Sequence, residues 1–240
     1  PVYSSRGIDN SLFYILNENA ENMNYSGCGN TVNANQHNTK QFILDSLRYW
    51  VSEYHIDGFR FDLASALLRG PDGRIMSHSP LVEAIDHDPI LSNTKMIAEA
   101  WDAAGAYHVG SFPSNNWSEW NGKYRDNVRS FWKGDHNRLG ALASHLIGSD
   151  GLYWHTGSPL KSVNFITCHD GFTLRDIVSY NQKHNEANNE NNADGENHNE
   201  SYNYGVEGPC EDEEINRIRK RQQKNLLCTL MVSQGIPMML

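Results

Sequence analysis

Basic residues, paired cysteines and long apolar runs are all scarce in this 240-residue sequence. Lys and Arg together number 20 against 29 for Asp and Glu, so the formal net charge is −9. This balance argues against a protein that binds nucleic acid or an anionic membrane, because both need a positive surface. The apolar runs also fall far short of the ~20 residues that span a bilayer. The sequence therefore predicts no nucleic acid and no membrane among the partners.

The four cysteines form no CxxC pair and do not have the spacing of a disulfide framework. Free thiols in a reducing compartment are the better interpretation, and the predicted location is cytoplasmic, with a plastid as the alternative. Hydrophobic residues make up 38% of the chain and aromatic residues 10%, which is enough for a folded core. The length fits one large domain or part of one.

Short apolar strands alternate with helical patterns along the chain. Strand candidates lie at 55–62, 95–101, 162–170 and 235–240, and a further short one at 12–16 in an otherwise loop-like stretch 1–35. Apolar residues recur at helical spacing at about 38–54, 81–85, 124–131, 139–147 and 213–233. This alternation without tight hairpins predicts a parallel α/β fold. In such folds the carboxyl ends of the strands carry the chemistry.

Charged residues follow the first two strand candidates. Side chains alternate along a strand, so Arg60 and Asp62 share a face. A carboxylate held beside a guanidinium suits a nucleophile or a charge stabiliser, although the same pair also occurs as a structural ion pair. Glu99 ends an apolar strand near Trp101, and partial desolvation there should raise its pKa, as a general acid requires.

The third strand candidate ends in His169 and Asp170. With Asp62 and Glu99, three strand ends then supply three carboxyl groups. One carboxylate can attack a sugar, one acid can protonate the leaving oxygen, and a third can stabilise an oxocarbenium-like centre. The set therefore indicates glycoside chemistry.

Three strings carry a family resemblance: GFRFDLA at 58–64, IAEAWD at 97–102 and FITCHDG at 165–171. They resemble active-site motifs of the α-amylase superfamily, glycoside hydrolase family thirteen, in the order of barrel strands four, five and seven. The strings YSGCGNT at 25–31, WNGKYRDNVR at 120–129 and YNQKHNEAN at 180–188 look like those of isoamylase-type debranching enzymes. The resemblance covers essentially the whole chain.

The resemblance implies a partial (β/α)8 TIM barrel that runs roughly from helix three to strand eight. Residues 1–240 would then be an incomplete catalytic barrel domain of a larger multidomain enzyme, since the Asp–His motif near the end of strand three is absent. By itself, such a piece is expected to be poorly stable and inactive, because a half-barrel leaves strand edges and an apolar face uncovered.

By the same resemblance, Asp62 is the nucleophile, Glu99 the general acid/base and Asp170 the transition-state stabiliser. Arg60 orients Asp62, and His169 binds sugar hydroxyls. The implied reaction is hydrolysis of α-1,6 branch linkages in glycogen or amylopectin-type glucans by a retaining double displacement, with branched α-glucan such as glycogen or limit dextrin as substrate. A 4-α-glucanotransferase, an α-1,4-acting amylase and a non-catalytic glucan-binding isoamylase-like subunit are the alternatives.

Three further expectations concern residues outside these motifs or beside them. Trp101 is the tryptophan most expected to contact substrate, because it follows Glu99 closely. No cofactor and no metal are predicted, since the histidines lack HxH or HExxH spacing and a structural calcium cannot be located from the sequence. The basic run 217–224, which includes Arg219, is expected to be the solvated face of a helix.

Overall fold

The computed structural model describes residues 4–156 and 158–240, which form two compact units. The first unit ends at Trp120 and the second begins at Asn121. All four cysteines are free thiols, as predicted. Among the helices of the described residues, none combines the length and apolar character of a membrane span.

The first unit carries three parallel strands, with the order β1-β2-β3. The strands are β1 (Gly58–Phe61), β2 (Lys95–Ala98) and β3 (Ser118–Trp120), and the helices are α1 (Arg6–Phe13), α2 (His37–Tyr54) and α3 (Pro80–Asp86). In the register, Arg60 lies opposite Ile97 and Phe61 opposite Ala98. The strand ends beyond Phe61 and Ala98 are therefore adjacent, which brings the residues that follow each strand together.

Local sequence explains where the helices of the first unit begin. The Gln36 side chain accepts hydrogen bonds from the backbone N–H groups of Asn38 and Thr39 at the start of α2. Ser79 caps α3 in the same way, with Pro80 at the first helical position, where a missing N–H has no cost. The buried core residues of the first unit, from these elements and the segments between them, include Leu44, Leu68, Leu81, Ile85, Leu91, Met96 and Trp117.

Within residues 121–156 and 158–240, the second unit has two parallel strands and four α-helices. The strands are β4 (Ser162–Phe165) and β5 (Ile236–Met238), and the helices are α4 (Gly122–Lys133), α5 (Leu139–Leu146), α6 (Asp150–Tyr153) and α7 (Glu213–Val232). One apolar cluster forms the core, with the buried members Tyr124, Val128, Leu142, Ile166, Ile177, Val178, Leu226 and Leu230. Between β4 and α7 the chain has only two short 3-10 turns, at Asp176–Val178 and Glu186–Asn188.

The parallel α/β class is confirmed, and so are the predicted longer helices and the four main strands. The strand predicted at 12–16 is wrong: the preceding residues form α1, and only single bridges join Tyr14 to Val32 and Leu16 to Asn22. The solvated helix face predicted at 217–224 is wrong for Arg219, which is 1% exposed. Its guanidinium is buried because it donates to backbone carbonyls of the preceding loop.

Candidate active site

Arg60 connects the two carboxyl groups that the sequence predicts at the ends of β1 and β2. Its Nη1 lies 3.1 Å from Asp62 Oδ1, and its Nη2 lies 2.8 Å from Glu99 Oε1. The parallel pairing continues one residue past the strands, where the Glu99 N–H donates to the Phe61 carbonyl at 3.1 Å. The structure thus brings Arg60, Asp62 and Glu99 together within the first unit.

The guanidinium of Arg60 also lies over an aromatic ring. Its Cζ is 4.2 Å from the centroid of the Trp120 ring, at the end of β3. A cation at this distance from an indole is attracted to the ring face. Trp120 therefore helps to fix the guanidinium between the two carboxyl groups.

Glu99 is buried, with 3% of its surface exposed. Burial raises the pKa of Glu99, and this effect outweighs the backbone N–H of Leu63, which donates to Oε2 at 2.8 Å and lowers it. A hydrogen bond with Asp62 raises the pKa further, whereas the charge of Arg60 lowers it. The net direction is upward, so the position favours the protonated acid.

The backbone that supplies this hydrogen bond is locally constrained. Leu63 has φ 43°, in the left-handed region that residues with a side chain rarely adopt. Its neighbour Ala64 donates its N–H to the Glu99 carbonyl at 2.8 Å. The Leu63 N–H thus binds the Glu99 side chain and the Ala64 N–H binds the Glu99 backbone. Together they hold the carboxyl group in place.

Asp62 has the opposite environment, with 71% of its side chain exposed. The site therefore pairs an accessible carboxyl group with a buried one whose pKa is raised, and one guanidinium contacts both. Two neighbouring carboxyls whose environments differ in this way can divide the roles of nucleophile and acid.

Trp101 follows Glu99 in the turn after β2, where its N–H donates to the Glu99 carbonyl at 2.8 Å. Its indole stacks on Tyr107, with ring centroids 6.3 Å apart and planes at 15°. The next residue, Asp102, forms a buried ion pair with Arg69 at 2.6 Å. The aromatic pair is thus attached to a rigid turn close in sequence to Glu99.

In the second unit, His169 and Asp170 follow β4 and border a cavity of about 640 Å³. His169 Nε2 lies 3.5 Å from Asp170 Oδ1, and both side chains are exposed. Gly171 has φ 74°, and a Cβ there would come within 2.5 Å of Asn199 Oδ1. That oxygen accepts the N–H of Phe172 at 2.8 Å, so the turn after Asp170 needs glycine at this position.

The cavity also contains residues to which sequence reasoning gave no role, notably Tyr180, Lys183 and His184. They belong to the Asn-rich segment 181–204 or adjoin it, and that composition is typical of a loop. The string YNQKHNEAN, which resembles isoamylase-type sequences, was the sequence feature that pointed to these residues. Its spacing does not show which of its side chains face a cavity.

One group of side chains has the composition of a metal site. The ligand atoms of Cys168, His169 and Asp170 lie within 4.8 Å of one another. No other set of three such ligands was found in residues 4–156 and 158–240. Two of its members are the residues predicted to contact the sugar.

No protein-family model matches the chain. Isoamylase 3, chloroplastic, of Oryza sativa subsp. japonica is 55% identical over 99% of the chain and 31% of the relative. The glycogen debranching enzyme of Yersinia enterocolitica is 48% identical over 100% of the chain and 36% of the relative. The chain thus spans about a third of the length of these curated relatives.

Solved structures with the same fold are pullulanases. The pullulanase from Bacillus acidopullulyticus has a TM-score of 0.66 at 23% identity, over 94% of this chain and 25% of that one. A pullulanase from Anoxybacillus sp. complexed with maltotetraose has a TM-score of 0.65 at 26% identity, over 95% and 30% of the two chains. The α/β fold predicted as a partial (β/α)8 barrel is confirmed.

Proposed function

The chain belongs to the isoamylase and glycogen debranching group of the α-amylase family, and from this premise we propose that the protein hydrolyses α-1,6-glucosidic branch linkages in glycogen or amylopectin-type glucans. The relatives' names support the reaction class, and the bound maltotetraose of a structural neighbour supports a glucan as the ligand class. The observation that carries the proposal is the Arg60 guanidinium between accessible Asp62 and buried Glu99.

The proposed reaction is a retaining double displacement. Glu99 protonates the glycosidic oxygen as that bond to the anomeric carbon breaks, and Asp62 forms an ester with the same carbon. Water then attacks the anomeric carbon, gives its proton to the Glu99 carboxylate and releases Asp62. The two inversions retain the α configuration. The raised pKa of Glu99 suits its first role, because the acid must carry a proton at the operating pH.

The remaining predicted residues have supporting roles in this proposal. Arg60 orients Asp62 and stabilises its negative charge. Asp170 stabilises the oxocarbenium-like transition state, and His169 binds sugar hydroxyls beside it. Trp101, stacked on Tyr107, packs against a glucose ring.

We further propose that residues 1–240 are part of the catalytic barrel of a larger enzyme, because the relatives are about three times as long. Four free thiols suit a reducing compartment, and the proposed location is the cytoplasm. Assays of activity accordingly use the full-length enzyme.

Product analysis of glycogen limit dextrin tests the function. The wild type should release new reducing ends and short linear maltooligosaccharides, and Asp62→Asn should release none while still binding the dextrin. Asp57→Asn, an exposed neighbour, is the matched control and should behave as the wild type. Changed chain lengths without new reducing ends would instead establish a transferase, and no change at all a glucan-binding protein.

A further inference from the structure

Glu207 holds the segment that forms one wall of the cavity beside Asp170. Its carboxylate accepts the backbone N–H groups of Asn181, at 2.9 Å, and Gln182, at 3.2 Å. It also accepts the Asn203 Nδ2–H at 2.9 Å and lies 3.0 Å from His184 Nε2. Four groups from two separate stretches of the loop therefore converge on one side chain.

These hydrogen bonds determine the charge state of Glu207. Partial burial acts to raise its pKa, but the donors from Asn181, Asn203, His184 and the Gln182 backbone outweigh it and lower the pKa to about 2. The carboxylate consequently stays ionised in neutral and mildly acidic solution. An ionised carboxylate can only accept, so the proton of the shared hydrogen bond belongs to His184 Nε2.

The turn that carries Glu207 is fixed by Arg219 from α7. The buried guanidinium donates through Nη1 to the Gly208 carbonyl and through Nη2 to the Asn203 carbonyl, both at 2.7 Å, and also to the Val206 carbonyl. These carbonyls lie on both sides of Glu207. A regular helix thus determines where the carboxylate sits.

Lys183 holds the same wall from the other side. Its Nζ donates to the carbonyls of Ala193, Asp194 and Gly195, at 3.2, 2.7 and 3.2 Å. Asn185 Nδ2 adds a bond to the Asp194 carbonyl at 3.2 Å. His184 is therefore flanked by two anchored residues and cannot drift far from its position.

The His184 ring keeps a free edge in the cavity. Half of the side chain is exposed, and Nδ1 makes no hydrogen bond within the part of the chain that the structure describes. With Nε2 bonded to Glu207, Nδ1 is the ring nitrogen left to form a hydrogen bond with a sugar hydroxyl, which can both donate and accept. The Tyr180 ring lies 5.6 Å away, so an apolar surface adjoins this nitrogen.

We propose that His184 is a glucan-binding residue of the cavity that contains Asp170, and that Glu207 and Arg219 are positioning residues that act through it. The inference rests on the proposed function for the identity of the ligand. Because His184 binds ground state and transition state alike, it contributes to KM rather than to kcat.

Kinetics of the full-length enzyme on limit dextrin test this inference. His184→Asn should raise KM about three- to tenfold, the loss of one hydrogen bond to a neutral partner, with kcat within about twofold of wild type. Glu207→Gln should raise KM by less. The double variant should be no worse than His184→Asn alone, because Glu207 acts through His184.

Binding measured by calorimetry in the Asp62→Asn background separates the inference from the proposed function. There His184→Asn should weaken the affinity for the dextrin by the same factor, without any turnover. If the wild type is active but His184→Asn changes neither KM nor the affinity for the dextrin, the inference is overturned and the debranching function stays intact. A wild type that releases no reducing ends would overturn the function itself.

Two matched variants show whether the effects are local. Glu190→Gln changes an exposed acid of the same loop, and His136→Asn changes an exposed histidine outside it. Both should keep wild-type KM. A purely structural role of Glu207 would appear as a lowered Tm and additive KM effects in the double variant, and this result would overturn its assignment as a positioning residue.

Discussion

Asp62 and Glu99 have the same functional group, and their surroundings make them chemically different. Arg60 contacts both, at 3.1 and 2.8 Å, so the guanidinium alone does not distinguish them. Exposure does, since Asp62 is largely open to solvent and Glu99 is buried. The buried group holds its proton to higher pH, and the exposed group is accessible to a sugar carbon. This difference assigns acid and nucleophile in the proposed mechanism.

Replacing Glu99 with Gln should lower kcat/KM on limit dextrin about 10²- to 10⁴-fold, because the leaving oxygen then departs without a proton. The loss of kcat/KM should be much smaller with α-maltotriosyl fluoride, whose fluoride leaves without protonation. Initial rates with the two substrates measure the difference. Asp62→Asn should abolish turnover of both, since the nucleophile is needed in either case.

The pH profile checks the same assignment. As the pH rises through the raised pKa of Glu99, the wild type loses the proton that its acid must carry, so kcat/KM on dextrin should fall on this alkaline limb. That limb should be absent for Glu99→Gln with the fluoride substrate. Equal losses on both substrates, or an unchanged limb, would assign the acid to another residue.

Part of this site was predictable from sequence and part was not. The Arg60–Asp62 pair joins residues two apart on a strand, so alternation alone predicts it. The contact between Arg60 and Glu99, which lie 39 residues apart in sequence, depends on the register of β1 and β2. The contact of Arg60 with Trp120 depends on a third strand, β3. The same holds for buried Arg219, whose carbonyl partners form a loop with no sequence periodicity.

At the level of elements, those with a clear apolar pattern in sequence were predicted, and short ones without it were missed. Apolar residues recur over more than three turns of α2, from Phe42 to Tyr54, and the predicted ends of α2, α4 and α7 fall within about two residues of the observed ones. The strand β3 has only three residues, Ser118–Trp120, too few to show alternation. It was therefore missed, although its last residue packs on Arg60.

Asn121 is the side chain on which several elements of the second unit depend. It is fully buried, and its Oδ1 accepts the Tyr124 N–H at 2.9 Å to cap α4. Its Nδ2 donates to the hydroxyls of Ser149, before α6, and Ser162, at the start of β4, at 3.0 and 2.9 Å. One amide thus connects two helix starts and a strand.

Asn121→Ala should therefore destabilise the protein by about 2–3 kcal/mol, from a lost cap plus buried hydroxyls that each lose a partner. Urea unfolding followed by circular dichroism measures the change. Asp212→Ala, which removes the exposed cap of α7, is the matched control and should cost only about 1 kcal/mol. Equal costs for the two variants would show that the buried network contributes nothing beyond capping.

On the scale of the whole molecule, the proposed function could be inferred from sequence because the candidate catalytic residues lie at strand ends. Three short strings carry all three proposed catalytic carboxyls, and each string begins in a strand of the parallel fold. The cavity wall of the second unit was not predictable in this way. Its side chains come from a long irregular segment, where only tertiary contacts such as those of Glu207 and Arg219 determine direction.

Metal ions should be able to inhibit the full-length enzyme, but its activity should not depend on them. The proposed reaction uses carboxyl groups for every step, so exhaustive dialysis against EDTA should leave kcat/KM unchanged. Added Zn²⁺ should inhibit, because the ligand atoms of Cys168, His169 and Asp170 lie within 4.8 Å of one another and suit this ion. A bound ion would occupy Asp170 and His169, the residues proposed to contact the sugar.

Cys168→Ser tests this explanation, since it removes the sulfur ligand and leaves the two residues proposed to contact the sugar in place. The variant should keep wild-type activity without metal and need about tenfold more Zn²⁺ for half-inhibition, given the loss of a strong ligand. Cys28→Ser changes an exposed cysteine that is distant in sequence from Cys168, and it should leave the inhibition by Zn²⁺ unchanged. Loss of activity on EDTA treatment that Ca²⁺ restores would contradict the expectation that the enzyme needs no metal.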